Sequence, residues 1–156
     1  MRPTSSDMLK ETVAKALSNL AVDPGNQRAI AAAGGLGPLI TLVSGGTSAQ
    51  IEAAVGALAN LAVDEANQRE IADAGGLDPL ITLVASGTAT QKEEAAGVLA
   101  NLAMNDANRM AIASKGGLRP LMTLMRRRAS EAAARALWTL ARDAANRKAI
   151  EDVGAQ

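Results

Sequence analysis

The chain has 156 residues, 48% hydrophobic and 21% charged, and its 16 basic and 16 acidic side chains cancel. It contains no Cys and no His, which excludes disulfide and thiol chemistry and removes the commonest metal ligand and general base. No apolar run reaches the roughly 18 residues of a membrane span, and the opening MRPTSSDMLKET lacks the apolar stretch of a signal peptide. The expectation is a cytoplasmic or nuclear protein with no membrane span and no cofactor. With one Trp, no Phe and no Tyr, the core must be built from Leu, Ile, Val, Ala and Met.

Taken in chain order, residues 5–22 read as one long helix. Residues 23–63 then form a unit that recurs without a gap at 64–104, the two sharing about two-thirds of their residues. A third copy, 105–142, lacks the equivalent of Thr88, Ala89 and Thr90 and carries Arg126, Arg127 and Arg128 just before the gap. Residues 143–153 repeat only the opening of the unit, as 5–22 repeat only its close. A period near 40 in helical sequence predicts an all-α solenoid, here a single domain with three helices per unit.

The first helix of each unit is short. Asp23, Asp64, Asn105 and Asp143 occupy its N-cap slot, and Gly34-Gly35, Gly75-Gly76 and Gly116-Gly117 end it. The second carries Pro38, Pro79 or Pro120 in its first turn, with Asp78 expected as a cap. The third is long, and Thr47 with Gln50 and Thr88 with Gln91 have capping-box spacing. On a helical wheel, Ile51, Ala54, Val55, Leu58, Leu61 and Ala62 share the core face. Asn60 falls on the other side with Ala49, Ala53 and Gly56.

The string N-x-x-x-I-x-x-x-G-G-L-x-P-L-I-x-L-V, followed by E-A-A-x-G-A-L-x-N-L-A, resembles the armadillo repeat over essentially the whole chain. The resemblance implies a right-handed α-solenoid whose third helices line a concave groove. It also implies that Asn19, Asn60 and Asn101 form a ladder bonding the backbone of an extended peptide; the fourth slot is Thr139, a departure. Four residues before that slot stand Lys15, Gly56, Gly97 and Arg135, where importin-α-like repeats carry Trp. This chain is therefore more similar to the β-catenin and plant type, and recognition of a basic nuclear-localisation peptide is not expected. Lys15, Glu94 and Arg135 are the neighbours expected to select side chains of a protein or peptide partner.

Several residues have bland readings beside the functional one. The Asn60 amide and its copies could equally brace adjoining backbone. Glu11, Glu52, Glu93 and Glu131 suit the first turn of a helix, and Glu11–Lys15 and Glu131–Arg135 have i,i+4 spacing. Arg126 to Arg128 fit a solvated helix end, and a neutral chain without stacking aromatics argues against nucleic acid. Trp138 is either a binding hot spot or a filler beside the shortened loop. Asn26, Asn67, Asn108 and Asn146 are expected to be structural.

No nucleophile–base pair, phosphate loop or metal spacing is present, so an enzyme is not expected. The incomplete units at either end suggest a piece of a longer array or an engineered consensus chain. Alternatively, copies stack head to tail into a homo-oligomer: residues 1–104 hold 6 basic and 11 acidic side chains, residues 105–156 hold 10 and 5. The leading expectation is a non-catalytic interaction scaffold.

Overall fold

A computed structural model describes residues 2–156 and contains only α-helices among them. They are α1 (Ser5–Leu20), α2 (Pro24–Ala32), α3 (Leu36–Gly45), α4 (Ser48–Leu61), α5 (Glu65–Asp73) and α6 (Leu77–Ser86). They continue as α7 (Ala89–Leu102), α8 (Asp106–Ser114), α9 (Leu118–Arg128), α10 (Glu131–Leu140) and α11 (Ala144–Gly154). No single helix is long and apolar enough to cross a membrane.

The ends of these helices follow from side-chain chemistry. The carboxylates of Asp23, Asp64 and Asp143 and the amide oxygen of Asn105 each accept from a backbone N–H in the first turn that follows. Gly34, Gly75 and Gly116 turn left-handed, with φ of 83°, 85° and 85°, so the chain reverses out of the helix. Thr47/Gln50 and Thr88/Gln91 form complete capping boxes, and Thr4/Asp7 does the same for α1. The Thr4 hydroxyl, then its backbone N–H, and then the Gln50 amide hold the Asp7 carboxyl below its ordinary range.

Asp78 is not a cap. The N-cap of α6 is Gly76, without a side-chain bond, and the Asp78 carboxylate lies within the first turn and pairs with Lys115 Nζ at 2.9 Å. The reason is that the turn through Gly75 and Gly76 already leads straight into helix, so α6 starts a residue before Asp78.

In the third unit the deletion removes the first turn of the long helix. Ser130 becomes the N-cap of α10, accepting from Ala133 N at 3.0 Å. The tightened connection forces Ala129 to φ 51°, the one non-glycine residue with positive φ among those described. A left-handed alanine costs about 1–2 kcal/mol, partly offset in a glycine variant by the larger entropy of its unfolded chain. Ala129→Gly is therefore expected to raise the melting temperature by about 2 °C, read by circular dichroism. An unchanged or lower value overturns the strain argument.

The solenoid arises because each helix buries one face on its own unit and another on the next. The long helices α1, α4, α7 and α10 stack side by side, while α3 packs on α4 and reaches α6, and α6 packs on α7 and reaches α9. Leu58, Leu61, Leu80, Leu99, Leu102, Ile71, Ile112 and Leu121 are completely buried along this axis. Ala53 is buried as well, at 9% exposure, although the wheel set it away from the core, because α1 closes over it.

Polar seams stitch the units together. The amide of Asn67 donates to Gln27 O (3.0 Å) and Leu61 O (3.1 Å), and that of Asn108 to Gln68 O (2.9 Å) and Leu102 O (3.0 Å). Asn146 donates to Arg109 O and Leu140 O in the same way, whereas Asn26 bonds Leu20 O alone. One bond of each pair closes the loop of its own unit and the other reaches back to the preceding one. A second seam joins the starts of the long helices. Gln50 donates to Asp7 O, Gln91 to Ser48 Oγ, and Ser130 Oγ to Glu93 Oε2.

Candidate functional site

The candidate site is the face built by the C-terminal halves of α1, α4, α7 and α10. Asn60 and Asn101 are both half-buried there. Asn60 Nδ2 donates to Ser18 O at 2.9 Å and approaches Ser18 Oγ at 3.4 Å; Asn101 Nδ2 donates to Ala59 O at 3.2 Å. Each amide thus spends one N–H on the long helix of the preceding unit. Its second N–H and its oxygen have no bond among the described residues. Asn19 is exposed and makes no such bond, since no long helix lies before α1 among the described residues.

Thr139 differs. It is 2% exposed, and its hydroxyl donates to Arg135 O at 2.9 Å within its own helix. A threonine is too short to reach across to the preceding helix as the asparagines do, so the ladder of bracing amides stops at Asn101.

The residues four positions earlier explain how the helices come together. A Cβ at Gly56 would meet Ser18 Oγ at 3.5 Å, and one at Gly97 would meet the Arg135 guanidinium at 3.7 Å. The bare glycine surface leaves room for these neighbours, and Arg135 Nη2 reaches Gly97 O at 3.4 Å. Lys15 is 62% exposed and pairs with Glu11 at 2.5 Å.

The carboxylates on this face are unequal. Glu93 accepts from Ser130, while Glu94 is half-buried and its Oε2 is buried without a hydrogen-bond partner. Glu93, Glu94, Glu131, Ala132 and Arg135 line one depression. Burial first, and Glu52 second, raise the Glu94 carboxyl above its ordinary range. A carboxyl with a raised value favours the folded state when protonated, and that advantage is lost as pH rises through the raised value. At neutral pH the Glu94 charge therefore costs stability. Glu94→Gln is expected to be more stable at pH 7 by less than about 1 kcal/mol, the group being partly solvated. The gap should close as pH falls below 4.5, and urea titrations across that range would show it.

Trp138 is 71% exposed at the last turn of α10, whereas the shortened loop adjoins the first turn. It therefore does not fill space beside that loop. The equivalent Ala100 is 3% exposed because α10 lies over it; no further long helix covers Trp138 among the described residues. The arginines form the last turn of α9, where Arg126 donates to Gly154 O and Arg127 and Arg128 are exposed. Sequence reasoning missed the bracing role of Gln50, Gln91 and Ser130. The capping boxes located the two glutamines, but nothing local indicated that their second N–H reaches another unit.

Comparison with known proteins bears on what this face is. The crystal structure of an engineered protein superimposes with a TM-score of 0.90 at 34% identity, over 97% of this chain and 64% of that one. A second engineered protein gives 0.90 at 36% identity, over 97% and 39%. A designed armadillo repeat protein in complex with the peptide (KR)4 gives 0.86 at 26% identity, over 97% and 66%. The chain spans about two-thirds or less of the length of these structures. No curated protein matches it. A model described as Armadillo/beta-catenin-like repeat matches residues 23–63 and 64–104, more than half of the chain. Two tandem matches, helices in the same order and a superposition along nearly the full length all agree: the chain belongs to the Armadillo/beta-catenin-like repeat family.

Proposed function

We propose that this chain is a non-catalytic interaction scaffold that holds an extended segment of a partner protein against the face of α1, α4, α7 and α10. The observation that carries the reading is the half-spent amide of Asn60 and of Asn101. One N–H, bonded to the preceding helix, fixes the orientation of each group. A donor and an acceptor remain, which is the complement of a peptide unit. Bracing and binding are then two uses of one side chain, and the brace lowers the entropic cost of binding by holding the amide in place. Asn19 extends the row without a brace. Thr139 contributes no donor to it.

Selection falls to the neighbours. The unpartnered oxygen of Glu94, beside Glu52, suits a cationic side chain of the ligand, while Lys15 and Arg135 oppose one at their own positions. Gly56 and Gly97 keep the helix surface low, so that a ligand backbone can approach, and Trp138 offers an apolar contact at the far end. The designed relative bound to (KR)4 supports a basic segment as the first ligand to try.

The test is titration of the chain with an octapeptide of alternating Lys and Arg, followed by the fluorescence of the single Trp138. Replacing both Asn60 and Asn101 by Ala is expected to weaken binding by about tenfold or more, since each loses a paired bond to the ligand backbone. Its cost to stability should stay near 1–2 kcal/mol, the worth of two partly solvated bonds. Unchanged affinity beside that loss of stability would mean that the amides only brace.

A second reading is a self-associating module, natural or of engineered consensus origin. It is favoured by the apolar side chains at the start of the solenoid, where Leu9 and Val13 are 65% and 48% exposed. Sedimentation at several salt concentrations tests it, and a monomer throughout sinks it.

A further inference from the structure

Between α1 and α3, at the first end of the solenoid, lies an apolar slot of about 390 Å³. Leu9, Val13 and Leu17 form one wall, and Leu39 and Leu42 the other. The molecule contains two filled copies of it. The slot between α4 and α6 is occupied by α3, and the slot between α7 and α9 by α6. The fit is visible in exposure. Val13 is 48% exposed where its counterpart Ala54 is 0%, and the half-buried Leu17 and Leu42 correspond to Leu58 at 0% and Leu83 at 8%.

We infer that the α1/α3 slot is a docking site for a short amphipathic helix of a partner protein, built on the pattern of α3 and α6. The filled slots specify that helix. In α3 the side chains that enter are Leu36, Leu39, Ile40 and Val43, and in α6 Leu77, Leu80, Leu83 and Val84. The ligand is therefore about ten residues long, with branched aliphatic residues at i, i+3, i+4 or i+6, and i+7, and an otherwise uncharged apolar face. Docking continues the interface by which each unit joins the next and removes Val13, Leu17 and Leu42 from water. A second copy stacked head to tail does not satisfy the slot. Its last helix, α11, matches the first helix of a unit and α1 matches the third, so the second helix is still missing between them. The site lies at the end of the solenoid and does not depend on the amides of Asn60 and Asn101.

The probe is a synthetic peptide with the sequence of residues 75–88, GGLDPLITLVASGT, titrated into the methyl-labelled chain and followed by nuclear magnetic resonance. Saturable shifts are expected at Leu9, Val13, Leu17 and Leu42. They should vanish for a peptide carrying Asp in place of Leu80. Val13→Glu in the chain should weaken binding about tenfold or more, because it sets an unpaired carboxylate in the apolar slot. Val13 is half-exposed in the free chain, so the variant should melt at the wild-type temperature, and Asn60→Ala should bind the peptide normally. No saturable shift at millimolar peptide, shifts elsewhere, or affinity indifferent to Val13→Glu would overturn the proposal. So would a concentration-dependent sedimentation of the chain alone that Val13→Glu abolishes, since the occupant would then be a second copy.

Discussion

Asn108→Ala is expected to destabilise the fold by about 3 kcal/mol, while Asn26→Ala, the same residue in the same slot, costs about 1. Asn108 is 3% exposed, and its amide bonds both Leu102 O, in its own unit, and Gln68 O, in the unit before. Truncation removes two bonds, each worth about 1 kcal/mol net, and leaves buried carbonyl lone pairs that water cannot reach. Asn26 bonds Leu20 O only, and water can replace that bond at a partly exposed site. Urea denaturation of both variants measures the difference, which is the worth of the bond between units together with its burial. Equal losses would mean that the side chain stabilises only its own loop. Because solenoid stability is close to a sum of unit and interface terms, Asn108→Ala should also broaden the transition, as it weakens one interface alone.

Gly76→Ala is expected to cost about 3 kcal/mol, and Gly37→Ala to be neutral or mildly stabilising. A Cβ at Gly76 would lie 2.7 Å from Ile71 Cγ2 and 2.8 Å from Ile71 O, with Ile40 Cδ1 at 3.4 Å. The clash includes a backbone oxygen that already accepts from Gly76 N at 2.9 Å, and Ile71 is fully buried, so neither side can give way without displacing the core. At Gly37, in the first turn of α3, a Cβ meets nothing within 4 Å, and alanine favours the helix by roughly 0.5–1 kcal/mol. Thermal melts of the pair should move in opposite directions. A small loss at Gly76 would mean that the turn between α5 and α6 is looser than its packing indicates.

Much of the architecture was legible because it rests on local rules applied at every copy. Asp64, the Gly75 turn and the Thr47–Gln50 box act within a few residues of their own position, so their roles can be read from spacing. The caps and stops expected from the sequence are present, except at Asp78, where competition with the preceding turn was invisible to a pattern. The wheel placed Leu58 and Leu61 in the core, and they are fully buried. It could not place Ala53 or Asn60 correctly with respect to α1, because a wheel describes one helix and these residues are defined by the next.

The candidate site shows the same division. Its slots, Asn19, Asn60, Asn101 and Thr139, can be counted off the repeat. What each can offer a ligand depends on whether a neighbouring long helix presents a carbonyl. Two amides find one, Asn19 has none before it, and the shorter Thr139 turns back to its own helix. The sequence by itself determined the period, the helices, their caps and stops, and the apolar face of each, since these follow from spacing, side-chain entropy and local hydrogen bonding. Only the tertiary structure decided which polar groups are spent and which remain free. It also decided which apolar faces are covered, as at Ala100, and which stay open, as at Trp138 and the α1/α3 slot. Those outcomes depend on contacts about 40 residues apart along the chain, the spacing at which one unit meets the next.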